Sequence, residues 1–227
     1  IGYSYQSISP PDFEKALEFH LKAYDVDKGN VWNLRNVGFS YMNLKKPDYV
    51  NALHYLNMAD NMQPGDASTL SNIAYCYRFN VPQDLNSALK YYLAASDINK
   101  SDAQLLDSIV YCYMSTDPPD FEKALPYGLK LFNLDSSDAY NLLNVAYCYM
   151  NIDPPDYENA LKFSKEAEKL LPDNSWNLNF LGLCYQKITP PDNEKALSYF
   201  QKAVEADPDD RDPLLNIALL YSKEKNI

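Results

Sequence analysis

Carboxylates and thiols recur in this chain at fixed spacings, and both could do chemistry. The segment PPDFEKAL occurs at Pro10–Leu17 and again, letter for letter, at Pro118–Leu125. Its Asp and Glu could form a carboxylate pair for acid–base catalysis if folding brought two copies together. Four evenly spaced cysteines could bind zinc or form disulfides: Cys76, Cys112, Cys148 and Cys184. Whether either site exists depends on how the surrounding elements place these residues.

The two copies of PPDFEKAL belong to an internal repeat. They lie 118 − 10 = 108 residues apart, which is three steps of 36. The same step carries an Ala-Leu pair from Ala16-Leu17 to Ala196-Leu197 and a tyrosine from Tyr5 to Tyr221. It also carries an aspartate in six places: Asp12, Asp48, Asp84, Asp120, Asp156 and Asp192. The chain is therefore a tandem array of 36-residue units.

The repeat argues against both kinds of site. Equivalent points on stacked helical units lie roughly 8–10 Å apart. A disulfide needs Cα atoms within about 7 Å, and zinc needs ligands that converge at about 2.3 Å, so a row of cysteines fits neither. We expect the cysteines to be small buried residues and the repeated Asp to cap a helix. The aromatic residue after the Asp is expected to shield the turn: Phe13, Tyr49, Phe121 and Tyr157.

Each unit has the pattern of two helices. In Asp138–Ile152 the apolar residues Leu142, Val145, Ala146 and Tyr149 fall on one helical stripe. The following DPPD cannot continue a helix, because proline lacks the amide proton and restricts the residue before it. Asp156 stands where the N-cap of a second helix belongs, and this helix is predicted at about Tyr157–Leu170. The next first helix is predicted to begin near Ser175.

These residues resemble the tetratricopeptide repeat. The clearest copy is Leu181-Gly182-Leu183-Cys184-Tyr185, followed by Ala196, Phe200, Ala203 and Pro208. The unit here has 36 residues instead of the usual 34, and a Leu replaces the first-helix Trp in six copies, from Leu34 to Leu214. Stretches such as VPQDLNSALKYY also resemble Sel-like repeats, but the Gly-rich turn of those repeats is missing, so we prefer the tetratricopeptide interpretation. Both families imply an α-solenoid.

The resemblance predicts the fold class. We expect an all-α, right-handed α-α superhelix of about six two-helix repeats with partial repeats at each end, forming a single domain over residues 1–227. The first helix of the final, partial repeat is predicted at Pro213–Tyr221. The side of this helix that corresponds to the packing surface of the other repeats is apolar. Because the chain starts at Ile1 without a Met, we expect it to be a piece of a longer protein.

In tetratricopeptide proteins the face of the first helices opposite the core lines a groove where peptides bind. In this chain that face is aromatic and amide-rich. The candidate groove residues are Trp32, Arg35, Asn36, Phe39, Asn72, Tyr75, Ser108, Tyr111, Tyr140, Asn144, Tyr147 and Trp176. Phe180 takes the place of the amide in one repeat, and we expect it on the same face. Asn side chains can pair with a peptide backbone whatever its sequence, and Tyr rings add apolar contact area. The alternative is that the Tyr rings pack on the next repeat and the Asn side chains link helices.

A known binding mode of the family is not expected here. Its chaperone adaptors hold a C-terminal carboxylate with Lys and Arg beside the groove Asn. In this chain the neighbouring positions are Ser71, Asp107, Leu143 and Leu215, and Arg35 alone is basic. We therefore do not expect binding of chaperone tails.

Composition and motifs exclude several functions. The net charge of −11 argues against nucleic acid and against anionic membranes as partners, and no apolar run approaches the ~18–20 residues of a membrane span. No phosphate loop, nucleophile elbow or zinc helix is present. His20 and His54 have no partner that the sequence can assign, and we expect them at the surface or half-buried. We predict no enzyme activity, no metal and no cofactor, and unpaired cysteines lean towards the cytoplasm.

The favoured function is a protein–protein interaction scaffold that binds an extended segment of a partner in its groove. One alternative is a structural module that self-associates through the exposed terminal helix. Another is the regulatory arm of an enzyme encoded outside this chain.

Overall fold

A computed structural model describes residues 2–7 and 9–224. Within these residues the chain forms thirteen α-helices and no strand. They are α1 (Gly2–Ser7), α2 (Phe13–Val26), α3 (Val31–Met42), α4 (Tyr49–Met62), α5 (Ala67–Phe79), α6 (Leu85–Ile98), α7 (Ala103–Ser115), α8 (Phe121–Leu134), α9 (Ala139–Asn151), α10 (Tyr157–Leu170), α11 (Ser175–Lys187), α12 (Asn193–Ala206) and α13 (Arg211–Glu224). The odd-numbered helices are the first helices of the repeats and the even-numbered ones are the second. The all-α fold of helix pairs is as predicted.

The packing divides the chain into two compact units. Unit 1 spans Ile1–Pro118 and contains α1 to α7; unit 2 spans Pro119–Ile227 and contains α8 to α13. In unit 1, α1, α3 and α5 each pack on the second helix of the same repeat, and in unit 2 so do α9 and α11. Within each unit every second helix also packs on the next first helix. No helix among the described residues is both long and apolar enough to cross a membrane.

The repeated Asp residues cap the second helices, as predicted. In all six copies the carboxylate accepts a hydrogen bond from the backbone N–H three residues later, at 2.9–3.0 Å. For five of these residues, Asp12, Asp48, Asp84, Asp156 and Asp192, the backbone N–H also donates back into the preceding first helix, for example from Asp156 to the Tyr149 carbonyl at 2.8 Å. One residue thus ends the turn and ties the two helices of a repeat together. The carboxylates point into separate turns and form no pair.

Small residues let the paired helices approach closely. The six alanines of the Ala-Leu pairs, from Ala16 to Ala196, are fully buried. A Cβ on Gly38 of α3 would lie 2.6 Å from Leu56 Cγ of α4, so only glycine fits against this buried leucine. This alanine position of the second helix is therefore part of the core.

The repeated tyrosines are structural. Tyr41 stacks on Tyr55 with ring centroids 5.8 Å apart, and Tyr77 stacks on Tyr91 at the same distance. Unit 2 repeats the arrangement in Tyr149 with Phe163 and Tyr185 with Tyr199. Each pair joins a first helix to its own second helix.

The terminal helix α13 is longer than predicted, because it begins at Arg211, two residues before the predicted start at Pro213.

Candidate functional site

The predicted groove residues lie on one side of the first helices, which we call the groove face. In unit 1 it consists of Trp32, Arg35, Asn36 and Phe39 on α3, Asn72 and Tyr75 on α5, and Ser108 and Tyr111 on α7; in unit 2 it consists of Tyr140, Asn144 and Tyr147 on α9 and Trp176 on α11. Its most exposed rings are Tyr140 at 65%, Trp32 at 53% and Trp176 at 45%. Tyr147 and the polar members are half-buried. Each unit therefore presents large apolar rings to solvent on this face.

Several rings of the groove face are anchored by the aromatic residue that follows the cap Asp. Phe13 contacts Phe39 edge to face at 6.0 Å, and Tyr49 lies 6.2 Å from Tyr75. In unit 2, Phe121 contacts Tyr147 at 5.5 Å. The residues predicted to shield the turn thus hold groove rings in place while one side of Phe39 and Tyr75 stays exposed. The lateral packing that was the alternative interpretation is thus observed for these rings, and Phe39 and Tyr75 also keep a solvent-exposed side.

The amides of the groove face differ in how far they are engaged. Asn36 Nδ2 donates to the Trp32 carbonyl of its own helix at 2.7 Å. Among the described residues, Asn72 and Asn144 make no side-chain hydrogen bond with the protein. Phe180, expected on the groove face, is only 3% exposed, so that expectation is wrong. It packs into the core beside Ala146 and Ala160, where burial of its apolar ring stabilises the fold.

Arg35 is held within unit 1. Its Nη1 lies 3.7 Å from Asp66 Oδ1, and its Nε and Nη2 are buried without a hydrogen-bond partner. Burial alone would raise the pKa of Asp66, but hydrogen bonds from Thr69 and the charge of Arg35 outweigh it and keep that pKa below its usual value. The predicted basic residue of the groove is thus half-buried against an N-cap carboxylate.

Arg78, which the sequence analysis missed, lies on the groove side of unit 1. Its guanidinium carbon stands 3.8 Å from the centroid of the Tyr111 ring, and Nη1 lies 3.5 Å from Ser108 Oγ. Burial raises the pKa of the neighbouring Tyr92. Alignment of the repeats could have indicated this residue. Arg78 is basic, whereas other copies have a methionine at the same position, namely Met42, Met114 and Met150. In unit 1 the chain therefore supplies a cation to one groove ring.

Unit 2 brings three aromatic side chains together. Trp176 stacks on Phe180 with centroids 5.2 Å apart, and both approach Tyr147, at 5.9 Å and 6.3 Å. Two of the predicted groove residues, Tyr147 and Trp176, are thus in contact. Phe180 forms the buried floor of this cluster.

The four cysteines are the buried small residues that were predicted. Each is fully buried and free. Burial raises the pKa of the Cys76, Cys148 and Cys184 thiols to about 12 and that of Cys112 to about 11. Within the described residues no three His, Cys, Asp or Glu side chains are grouped to hold a metal ion.

His20 is buried, and the expectation of a surface or half-buried histidine is wrong. It is 2% exposed, and its Nδ1 lies 3.0 Å from Ser40 Oγ, while Nε2 has no partner. The repeat register explains its burial, because His20 stands where Leu56 and Phe200 fill the core of other repeats. Burial lowers its pKa, because the charged form of the imidazole is poorly solvated there. His54 is exposed, as expected, with its ring against Tyr55.

The terminal helix α13 offers a second candidate surface. Leu214, Leu215 and Leu219 are 48–59% exposed. In the preceding repeats the counterparts of Leu214, from Leu34 to Leu178, are at most 7% exposed. An apolar stripe of α13 therefore faces solvent.

Comparison with known proteins agrees with this architecture. The Sel1 repeat model matches residues 1–27, 34–59, 68–99, 142–170 and 178–208, which is more than half of the chain. Among curated proteins, no sequence matches the chain.

Solved structures with a similar fold include tetratricopeptide-repeat proteins. YrrB, described as a TPR protein with an unusual peptide-binding site, has a TM-score of 0.76 at 18% identity over 87% of this chain and 97% of its own. MamA from Desulfovibrio magneticus has a TM-score of 0.65 at 16% identity over 78% of this chain and 95% of its own. The C-terminal part of a TPR protein from Cytophaga hutchinsonii has a TM-score of 0.65 at 16% identity over 86% of this chain and 74% of its own. The chain therefore belongs to the Sel1 repeat family and has the α-α superhelix fold of tetratricopeptide-repeat proteins.

Proposed function

We propose that the chain is a non-enzymatic interaction scaffold and that its groove face binds an extended segment of a protein partner. The observation that carries the proposal is the exposure of large rings on the groove face of each unit, Trp32 and Tyr75 in unit 1 and Tyr140 and Trp176 in unit 2. Exposed rings that share one helix face favour contact with another molecule, because aromatic side chains bury a large apolar area and dominate the energetics of protein interfaces.

The amides support an extended ligand. Asn72 and Asn144 each offer an N–H donor and a carbonyl acceptor that the protein leaves unused. An extended peptide presents both kinds of group on its backbone at every residue, so amides beside rings suit its main chain and side chains together. The peptide-binding site of YrrB, which has the same fold, supports the same use of this chain.

A peptide-display selection tests the proposal. Binders selected on the wild-type protein are measured against two double variants, Tyr75→Ala with Asn72→Ala in unit 1 and Tyr147→Ala with Asn144→Ala in unit 2. Val26→Ala, which removes apolar area from an 89% exposed side chain outside the groove face, is the matched control. We expect at least one double variant to lose about tenfold in affinity or more while the control binds normally.

The result that contradicts the proposal is equally clear. A selection that yields no binder, or binders that both double variants hold as tightly as the wild type, removes the groove face as the binding surface. Circular dichroism of each variant establishes that the helices are intact.

The exposed stripe of α13 favours a second candidate function, self-association of the chain. Leu215 and Leu219 would be buried against another copy. Sedimentation velocity over a range of concentrations tests this. We expect an oligomer that Leu215→Glu with Leu219→Glu converts to monomer; a wild-type monomer at all concentrations excludes this function.

A further inference from the structure

The ring of Trp176 has one covered face and one open side. Phe180 stacks on it at 5.2 Å with an interplanar angle of 22°, while Tyr147 meets it at a tilt of 54°. The indole nevertheless stays 45% exposed. Its position is fixed by two aromatic neighbours, so an incoming group meets a rigid surface at little entropic cost.

The chain shows in unit 1 what such a ring attracts. There the guanidinium of Arg78 lies 3.8 Å above Tyr111, a ring of the groove face. Among the described residues, no Lys or Arg lies over Trp176 or Tyr140, although many other rings have one, such as Tyr185 with Lys195 at 5.3 Å. Trp is the side chain whose ring face attracts cations most strongly. The ring of Trp176 is therefore well suited to a cation–π contact, and no Lys or Arg among the described residues makes one with it.

The loops beside this ring are negatively charged. In unit 2 the three loops that precede first helices, residues 135–138, 171–174 and 207–210, contain six aspartates and no Lys or Arg. Asp138 precedes Tyr140 by two residues and Asp173 precedes Trp176 by three, so these carboxylates lie at the same end of the helices as the exposed rings. Arg211, next in sequence, is followed by another acid, Asp212. The carboxylates of these loops attract positive charge and repel other carboxylates.

We infer that the groove face of unit 2 binds a basic segment and holds a lysine or arginine side chain of that segment against the Trp176 ring. The inference rests on the proposed function, since it names the chemistry of the ligand that the groove face takes. The acidic loops draw the segment in, and the ring selects and positions one cation. Because charge attraction is screened by salt and ring contact much less, the ring dominates at physiological ionic strength.

Trp176 itself reports the contact. The chain has two tryptophans, so Trp32→Phe leaves Trp176 as the single tryptophan fluorophore. The probes are three capped dodecapeptides in which alanine alternates with lysine, with glutamine or with glutamate. Each is titrated at 20 mM and 150 mM NaCl while the emission of Trp176 is recorded.

We expect the lysine peptide to shift the emission and to bind about tenfold or more tightly than the glutamine peptide, with no binding of the glutamate peptide. Trp176→Leu should weaken the lysine peptide about fivefold or more at 150 mM NaCl, as measured by calorimetry, and Trp176→Phe should lose less because it keeps a ring. Val26→Ala, at an 89% exposed side chain outside the groove face, is the control and should leave the affinity unchanged. Equal binding of the lysine and glutamine peptides, or of wild type and Trp176→Leu, overturns the inference.

The display selection separates this inference from the proposed function. If selected binders need the groove face but contain no more Lys and Arg than the starting library, the inference is overturned and the proposed function stands. If no binder is selected and the lysine peptide fails as well, both are overturned. Enrichment of Lys or Arg that disappears on Trp176→Leu supports both.

Discussion

At the scale of single residues, position in the repeat decides the role of a side chain more than its chemical type. Asp84 and its five counterparts are carboxylates of a kind that serves catalysis elsewhere, yet each accepts a backbone N–H and begins a helix. The hydrogen bonds from Ser87 hold the pKa of Asp84 below its usual value. The cysteines are a second example, because burial makes their thiols unreactive.

A cap variant tests the role of the aspartate. Asp84→Ala should lower the free energy of unfolding by about 1 kcal/mol, because the N–H of Ser87 loses its acceptor. Asp84→Asn, which keeps an acceptor oxygen, should cost much less. Urea denaturation at pH 7 measures both. Equal losses for the two variants would show that charge, not capping, is what the aspartate contributes.

His20 predicts a dependence of stability on pH. Burial lowers its pKa in the folded protein, so below the ordinary value of about 6.5 the unfolded chain takes up a proton that the folded chain does not. This contribution to stability is complete above that pH and is lost as the pH falls towards the folded pKa, with a slope of at most about 1.4 kcal/mol per pH unit.

The measurement compares urea denaturation of the wild type and of His20→Leu between pH 7.5 and pH 5. Leucine is the matched replacement because Leu56 fills the same place one repeat later. We expect the wild type to lose more stability than the variant over this range. Parallel pH profiles would mean that His20 takes up its proton equally in both states.

The residues that the sequence did not place correctly share a cause. Periodicity assigns a side chain to a side of a helix, but the depth of burial depends on neighbours from other helices. Phe180 occupies a groove position and still turns into the core beside Ala146, and Arg78 reaches Tyr111 from a position two helices earlier in the chain. Contacts of this kind follow from side-chain volume and packing, which a repeat register does not contain.

At the scale of elements, the helix ends were the most predictable part of the fold. The second helix predicted at Tyr157–Leu170 has these bounds in the structure, and the next first helix begins at Ser175 as expected. Prolines and a cap residue mark these ends chemically, so the sequence carries the signal. α13 begins earlier than predicted, because Pro213 is tolerated inside the first turn of a helix, where its missing N–H has no partner.

The close approach of α3 and α4 can be tested at Gly38. An added Cβ would overlap Leu56, so Gly38→Ala should destabilise the protein by about 1–3 kcal/mol. Leu56→Ala in the same chain should recover part of that loss, since it removes the obstacle. Gly29→Ala is the control, because its nearest neighbour lies 3.5 Å away. The stability of these variants and of the wild type is measured by denaturation. If the effects of Gly38→Ala and Leu56→Ala simply add in the double variant, the result argues against a contact between the two residues.

At the scale of the whole molecule, the repeat register distributes one buried thiol to each of four successive repeats. Cys76 and Cys112 lie in unit 1, and Cys148 and Cys184 lie in unit 2. Their raised pKa and burial make them inert while the surrounding repeat is folded. In repeat proteins stability is a sum over units and their interfaces, so the ends and the middle can open separately.

Thiol labelling in sub-denaturing urea should therefore report on each repeat. We expect no labelling of the native protein at pH 7.5 and unequal labelling rates as urea is added, read by mass spectrometry of peptides. Gly38→Ala should speed the labelling of Cys76, which lies in the core cluster of Leu56, more than that of Cys184. Identical rates for all four cysteines at every urea concentration would show that the chain opens as one cooperative body.

The identical turns have a consequence for how such a chain changes in length. In both places PPDFEKAL contains the aspartate cap and the first residues of a second helix, α2 at Pro10–Leu17 and α8 at Pro118–Leu125. A recombination event that joined the two segments would delete 108 residues, three whole repeats, and would leave a junction with its cap and its buried alanine intact. Unequal crossing-over in the opposite sense would add three repeats. Recombination between the two copies of this segment would therefore lengthen or shorten the protein by whole repeats and would leave every helix complete.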